Sequence, residues 1–124
     1  MSIKSVFKEL SEHEEQCLLV NWFEIQFPQV RIFAIPNGTW SKNIQVAMKA
    51  KREGVRKGVP DLYIPEWKLW IEMKREKGGT VSKEQKDWHE YLSSKCGDEV
   101  IIGKGFKDAR EKILRLKGLK SPVS

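Results

Sequence analysis

The sequence predicts an α/β domain in which a mixed β-sheet is flanked by helices, in the order αβαββαβα. Three observations carry this reading. The apolar spacing switches repeatedly between the helical and the alternating pattern. Two capping-box signatures, Ser11-x-x-Glu14 and Ser82-x-x-Gln85, mark helix starts. The second and third strands are separated by only Pro65-Glu66-Trp67-Lys68, whereas a helix separates the third strand from the fourth, so one connection is a hairpin and the other a crossover.

The elements follow in order. From the Ser11 cap a helix of about 15 residues carries Leu19, Val20, Trp22, Phe23 and Phe27 and ends before Pro28. Val30 to Ile35 reads as a strand, broken by Pro36-Asn37-Gly38, and Ser41 can cap a strongly basic second helix running to about Glu53. Gly54 and Gly58 bracket a loop. Asp61 to Ile64 and Leu69 to Arg75 form the hairpin, which Gly78-Gly79 terminates. The Ser82 helix passes through Trp88 and Leu92 to about Lys95, and Glu99 to Ile102 is the last strand. Gly103 and Gly105 lead into a basic helix over about 105–117, with Phe106, Ala109, Ile113 and Leu116 at helical spacing.

A chain of 124 residues accommodates one domain, here 1–124, and its 40% hydrophobic content with five Trp and five Phe suffices for a packed core. No apolar run approaches the roughly 20 residues of a membrane helix, and the start MSIKSVFKEL lacks the apolar segment of a signal peptide, so a cytoplasmic protein is expected. Cys17 and Cys96 have no metal-type spacing and are expected to be reduced packing residues.

The net charge of +6 is unevenly distributed. Residues 42–57 hold Lys42, Lys49, Lys51, Arg52, Arg56 and Lys57 against Glu53, a local +5, and residues 104–120 carry another +5. Residues 1–29 are net −3 and residues 58–103 net −2. Basic runs around a set of carboxylates suit a protein that holds a polyanion and a divalent cation together. Lys42, Lys49, Arg52, Arg56 and Lys57 are the candidate DNA contacts.

The hairpin gathers the acids. Its four-residue connection sets a register in which Ile64 faces Leu69 and, three pairs on, Asp61 faces Glu72. Directly opposed side chains are about 4.5–5.5 Å apart at Cβ, and two like charges there need compensation, which a divalent cation supplies. Alternation along Leu69-Trp70-Ile71-Glu72-Met73-Lys74 puts Glu72 and Lys74 on one face and Leu69, Ile71 and Met73 on the other. Asp61, Glu72 and Lys74 therefore converge, with hard oxygen donors for Mg²⁺ and an ammonium for a water or a phosphate. On the first helix, at ~100° per residue, Glu12 falls within about 20° of Leu19 and Phe23, on the apolar stripe. Glu12 is thus the third ligand candidate, with a simple helix-dipole role as the alternative. Glu14 is explained by the capping box, and Glu15 lies on the flank. His13 and His89 are too far apart in sequence to form a zinc motif, and Trp40, Trp67 and Trp70 could pack the core, line an interface or stack on DNA.

Gly58-Val59-Pro60-Asp61, ten residues, then Glu72-Met73-Lys74 resembles the PD-(D/E)xK nuclease superfamily. Glu12-His13-x-x-Gln16, Pro36-Asn37-Gly38, Gly54-x-x-x-Gly58-x-Pro60-Asp61 and Ser82-x-x-Gln85-x-x-Trp88 narrow the resemblance to the VRR-NUC domain, over about residues 11–103. That resemblance implies a restriction-endonuclease-like core and a small stand-alone nuclease of the virus-type or bacterial kind. It implies that Asp61, Glu72, the Met73 carbonyl and Glu12 hold Mg²⁺ or Mn²⁺, that Lys74 is the catalytic lysine, and that Gln85 belongs to the catalytic site. Gln16 is similarly placed, with a packing role equally open. A one-turn misalignment would select Glu14 or Glu15 instead of Glu12.

The expectation is a metal-dependent, structure-selective DNA endonuclease, with a homodimeric Holliday junction resolvase preferred, because a small domain covers little DNA and a two-fold dimer places two sites on a branched substrate. A flap or nicking nuclease, acting as a monomer or with a helicase partner, is the alternative. A non-catalytic basic DNA-binding module is the rival of another class. No glycine-rich nucleotide-binding loop is present.

Overall fold

The computed structural model describes residues 9–36 and 43–119. Asn37, Gly38, Trp40, Ser41 and Lys42 lie outside the described residues. The order is α1 (Glu12–Gln26), β1 (Phe33–Ala34), α2 (Ile44–Arg52), β2 (Leu62–Ile64), β3 (Leu69–Lys74), α3 (Lys83–Ser94), β4 (Glu99–Lys104) and α4 (Phe106–Leu116). It matches the predicted αβαββαβα succession.

Both capping boxes form. Ser11 accepts from the Glu14 N–H at 3.1 Å while Glu14 accepts from the Ser11 N–H at 3.0 Å, and Ser82 and Gln85 reciprocate at 3.2 and 2.8 Å. The sheet runs β1-β2-β3-β4, antiparallel in its first two pairings and parallel between β3 and β4. The hairpin has the predicted register, Ile64 opposite Leu69 and Leu62 opposite Ile71. Its connection is a single 3₁₀ turn over Pro65–Trp67, closed by Lys68 in the left-handed region at φ 49°.

One sheet face holds the core. Leu62, Ile64, Leu69, Ile71 and Met73 project toward Leu19 and Phe23 of α1 and Ala109 and Ile113 of α4. Phe23, Phe27, Trp22, Trp67 and Phe106 pack edge-on or tilted at the same interface, which settles Trp67 as a core residue. Gly103 lets α4 approach β4 closely, since a Cβ there would sit 2.5 Å from that of Ala109. The other face carries Glu72 and Lys74 and is covered by α3, the β3-to-β4 crossover.

Four expectations are corrected. The first strand pairs over two residues rather than six, because β2 has only three residues to offer it, and Val30 and Ile32 pack on the core instead. The cap of α2 is Asn43, whose Oδ1 accepts from the Gln45 and Val46 N–H groups, so the helix starts later than a Ser41 cap requires. Cys17 and Cys96 are free but exposed; Cys17 lies about 200° round the helix from the buried Leu19. On α4 the buried leucine is Leu114, while Leu116 in the last turn is 46% exposed. Among the described residues no helix is long and apolar enough to cross a membrane.

Candidate active site

Asp61 enters the site at the start of β2. Its carbonyl accepts from the Ile35 N–H at 2.8 Å, and its Oδ2 accepts from the Met73 N–H at 2.7 Å, which fixes the carboxylate beside β3. Glu72 stands in the middle of β3 with 1% of its surface exposed and is hydrogen bonded to Asp61. Burial first, then the Glu72 charge and the shared hydrogen bond, push Asp61 up from 3.8 to about 7. Glu72 is also raised, mainly by burial, against the lowering influence of the Asp61 hydrogen bond and Lys74. Two acids this close titrate as a coupled pair.

Lys74 is 8% exposed, on the same face as Glu72. Gln85 joins the two: its Nε2 donates to Glu72 Oε2 at 3.0 Å, and its Oε1 accepts from Lys74 Nζ at 2.9 Å and from the Ser82 N–H at 2.8 Å. Two donors on one oxygen fix the amide's orientation. The side chain that closes the capping box on Ser82 therefore also bonds Glu72 and Lys74.

His89, one turn further along α3, was missed as a site residue. Its Nε2 lies 3.2 Å from Glu72 Oε1, so each Glu72 oxygen is met from α3. Burial and the Lys74 charge lower His89, keeping the ring neutral near pH 7. The signal available in sequence was the i, i+4 spacing of Gln85 and His89, which places both on one helix face.

The three glutamates in the first turn of α1 separate cleanly. Glu14 closes the capping box. Glu15, 6% exposed, accepts from the Phe106 N–H at 3.0 Å and caps α4, whose N-cap residue is Gly105 and has no side chain to do so. Glu12 faces the acids: burial and Asp61 raise it, while Lys74 and Arg75 lower it. Glu12 thus stands near Asp61, Glu72 and Lys74 without a hydrogen bond to them.

The donor chemistry fits a hard divalent cation. Two buried carboxylates carry an unfavourable repulsion that a cation would relieve, and Mg²⁺ is held by one or two carboxylates with the remaining positions left to water and substrate. Among the described residues no three His, Cys, Asp or Glu side chains form a ready cage. Met73 gives its N–H to Asp61 and buries its side chain in the core.

Lys49, Arg52, Arg56 and Lys57 are exposed, on α2 and the loop after it, and α2 buries no residue of its own. Arg56 Nη1 donates to the carbonyls of Lys51 and Val55, holding the loop against the helix end. The second basic run is partly engaged within the chain: Lys112 pairs with Asp108 and donates to the Ile102 carbonyl, and Lys117 lies 4.2 Å over the Trp67 ring.

The VRR-NUC domain family matches residues 2–104. A solved structure described as a VRR_NUC domain protein is 29% identical, covers 93% of this chain and 94% of its own, and superposes with a TM-score of 0.74. No curated protein matches the chain. The family match spans most of the sequence and the fold agrees with it, so this chain belongs to the VRR-NUC family of PD-(D/E)xK nucleases.

Proposed function

We propose that the protein is a metal-dependent, structure-selective DNA endonuclease that hydrolyses phosphodiester bonds, acting as a homodimeric Holliday junction resolvase. The observation that carries the chemistry is the convergence of Asp61, Glu72 and Lys74, with Gln85 bonded to the last two, at a site where both acids have raised affinity for a proton. A surface that merely held phosphate would gain nothing from two buried carboxylates facing it.

Asp61, Glu72, the Met73 carbonyl and Glu12 would hold Mg²⁺ or Mn²⁺. The bound cation supplies Lewis-acid charge neutralisation and a more acidic water. Lys74 offers its ammonium to the attacking water or to the charge developing on the phosphoryl oxygens. Gln85 and His89 keep Glu72 aimed, and Gln85 keeps Lys74 aimed, so the constellation is positioned before substrate arrives. Lys42, Lys49, Arg52, Arg56 and Lys57 contact the phosphate backbone, which gives affinity without sequence information.

The test uses wild type, Asp61→Asn and Lys74→Ala on four-way junction, flap, linear duplex and single-stranded DNA, with Mg²⁺, Mn²⁺ or EDTA, while molecular mass is recorded. Paired symmetrical cuts on the junction by a dimer, abolished by EDTA and reduced at least about 100-fold in both variants with binding retained, are expected. Cuts mainly at flaps would refute the resolvase role, and binding without cleavage in either metal would refute the nuclease.

A further inference from the structure

Beside the acids, on the same side of the sheet, lies an apolar cavity of about 460 Å³. Its walls come from four segments: Ile35 and Pro36 after β1, the loop between α2 and β2, Trp70 of β3, and Trp88 and Leu92 of α3, with Glu53 and Arg56 as its charged residues. We propose that this cavity receives an unpaired nucleobase of the bound DNA strand, next to the phosphate being cut. The inference rests on the nuclease reading and names its substrate class: DNA in which a base is free of its partner at the site of cleavage.

The first argument is position. Trp70 and Glu72 are two residues apart on β3 and share a face, about 7 Å along the strand. Trp88 directly precedes His89 and follows Gln85 by three, so the helix that positions Glu72 also supplies a cavity wall. A strand with its phosphate at Asp61 and Glu72 brings a neighbouring base to Trp70 and Trp88.

The second argument is the wall itself. Trp70 is held on two sides, its Nε1–H donating to Asp98 Oδ2 at 2.9 Å and its ring packed against Tyr63 at 4.1 Å between centroids with a tilt of 31°. The Trp88 ring meets Tyr91 edge-on at 5.7 Å. An indole held in this way at an open cavity is a stacking surface with little ordering entropy left to lose, and Trp88 lines the same cavity. The volume falls within the roughly 300–1,000 Å³ range of small-molecule sites. A base paired and stacked within a duplex cannot enter it.

The third argument is charge. Arg56 at the cavity and the adjoining Lys49, Arg52 and Lys57 belong to one of the two strongly basic stretches of the chain, which suits a polyanion rather than an apolar peptide. Glu53 offers an acceptor to the exocyclic amino group of a base, and Arg56 offers donors to ring nitrogens and carbonyls.

Equilibrium binding in EDTA separates this from catalysis. The probes are a paired duplex, the same duplex with one extra unpaired 2-aminopurine, its abasic counterpart, and a four-way junction with 2-aminopurine at the branch point or within an arm. Wild type is expected to bind the extra-base duplex roughly tenfold tighter than the paired one, with a change in 2-aminopurine emission. The abasic counterpart is expected to lose that preference. Trp88→Ala is expected to lose it too, with paired-duplex affinity unchanged, while Trp88→Phe keeps most of it. A branch-point signal without an arm signal identifies the junction as a source of the free base; an extra-base signal alone assigns it to bulges or flaps. Equal binding of the abasic probe, or a uniform loss across all probes in Trp88→Ala with the fold intact by circular dichroism, overturns the proposal. Mn²⁺-dependent cleavage by the same wild-type sample reports separately on the nuclease reading.

Discussion

Replacing Asp61 by Asn should make the metal-free protein more stable at pH 8 while destroying its activity. The wild-type side chain is pushed from 3.8 to about 7 by burial and by Glu72. A carboxyl whose proton affinity is raised in the folded state contributes stability below its unfolded value, and that contribution is lost as pH rises through the folded value. The loss therefore falls between about pH 4 and pH 7. At about 1.36 kcal/mol per tenfold in proton affinity, the rise corresponds to roughly 4 kcal/mol as a ceiling. Asn keeps an acceptor for the Met73 N–H and gives a donor to Glu72, so the exchange removes the charge and little else. Because Glu72 in the variant must still ionise in a buried position, a gain of about 2 kcal/mol or more is expected at pH 8, or roughly 6 °C in Tm. The assay is thermal unfolding of both proteins in EDTA from pH 4 to pH 8, reading the difference between them. The two should coincide near pH 4 and diverge upward. Added Mn²⁺ at pH 8 should then raise the wild type more than the variant, because it binds the folded acids. A variant less stable than wild type at pH 8, or a difference independent of pH, would refute the reasoning.

Three further outcomes follow from the geometry. Glu15→Ala should lower stability by about 1–2 kcal/mol in urea unfolding, through the uncapped α4, and leave cleavage per folded molecule unchanged; Glu12→Gln should do the reverse. Changing Lys49 and Arg52 together to Gln should flatten the dependence of log affinity on log salt by roughly 2, measured by fluorescence anisotropy; an unchanged slope would remove α2 from the DNA interface. Gly58→Ala should cost roughly 2–3 kcal/mol by denaturant titration, since Gly58 has φ +98° and a Cβ would stand 2.7 Å from the Glu84 carbonyl group.

What was legible in the sequence was local or set by a short connection. The capping boxes need only residues three apart, and the four-residue link between Ile64 and Leu69 fixed the register that brings Asp61 to Glu72. What escaped was long-range. Glu15 bonds to Phe106 across 91 residues, and although the glycine before α4 is plain in the sequence, no local pattern names the residue that caps the helix. His89 acquires its partner only because the β3-to-β4 crossover lays α3 over the buried acid. Trp67 and Trp70, three residues apart, look equivalent as apolar aromatics; the turn between them sends one into the core and the other to the opposite face.

Gln85 constrains how this chain can vary. As the third residue of a capping box it could become Glu at no expense to the helix, since either side chain returns to the Ser82 N–H. In this position the exchange would set a third carboxylate against Glu72 and remove the amide that donates to it. A substitution neutral for the helix cap is thus unfavourable beside the buried Glu72. The same link runs the other way: fraying of the first turn of α3 would loosen Glu72 and Lys74 together, so the opening of one helix end is coupled to the order of both side chains.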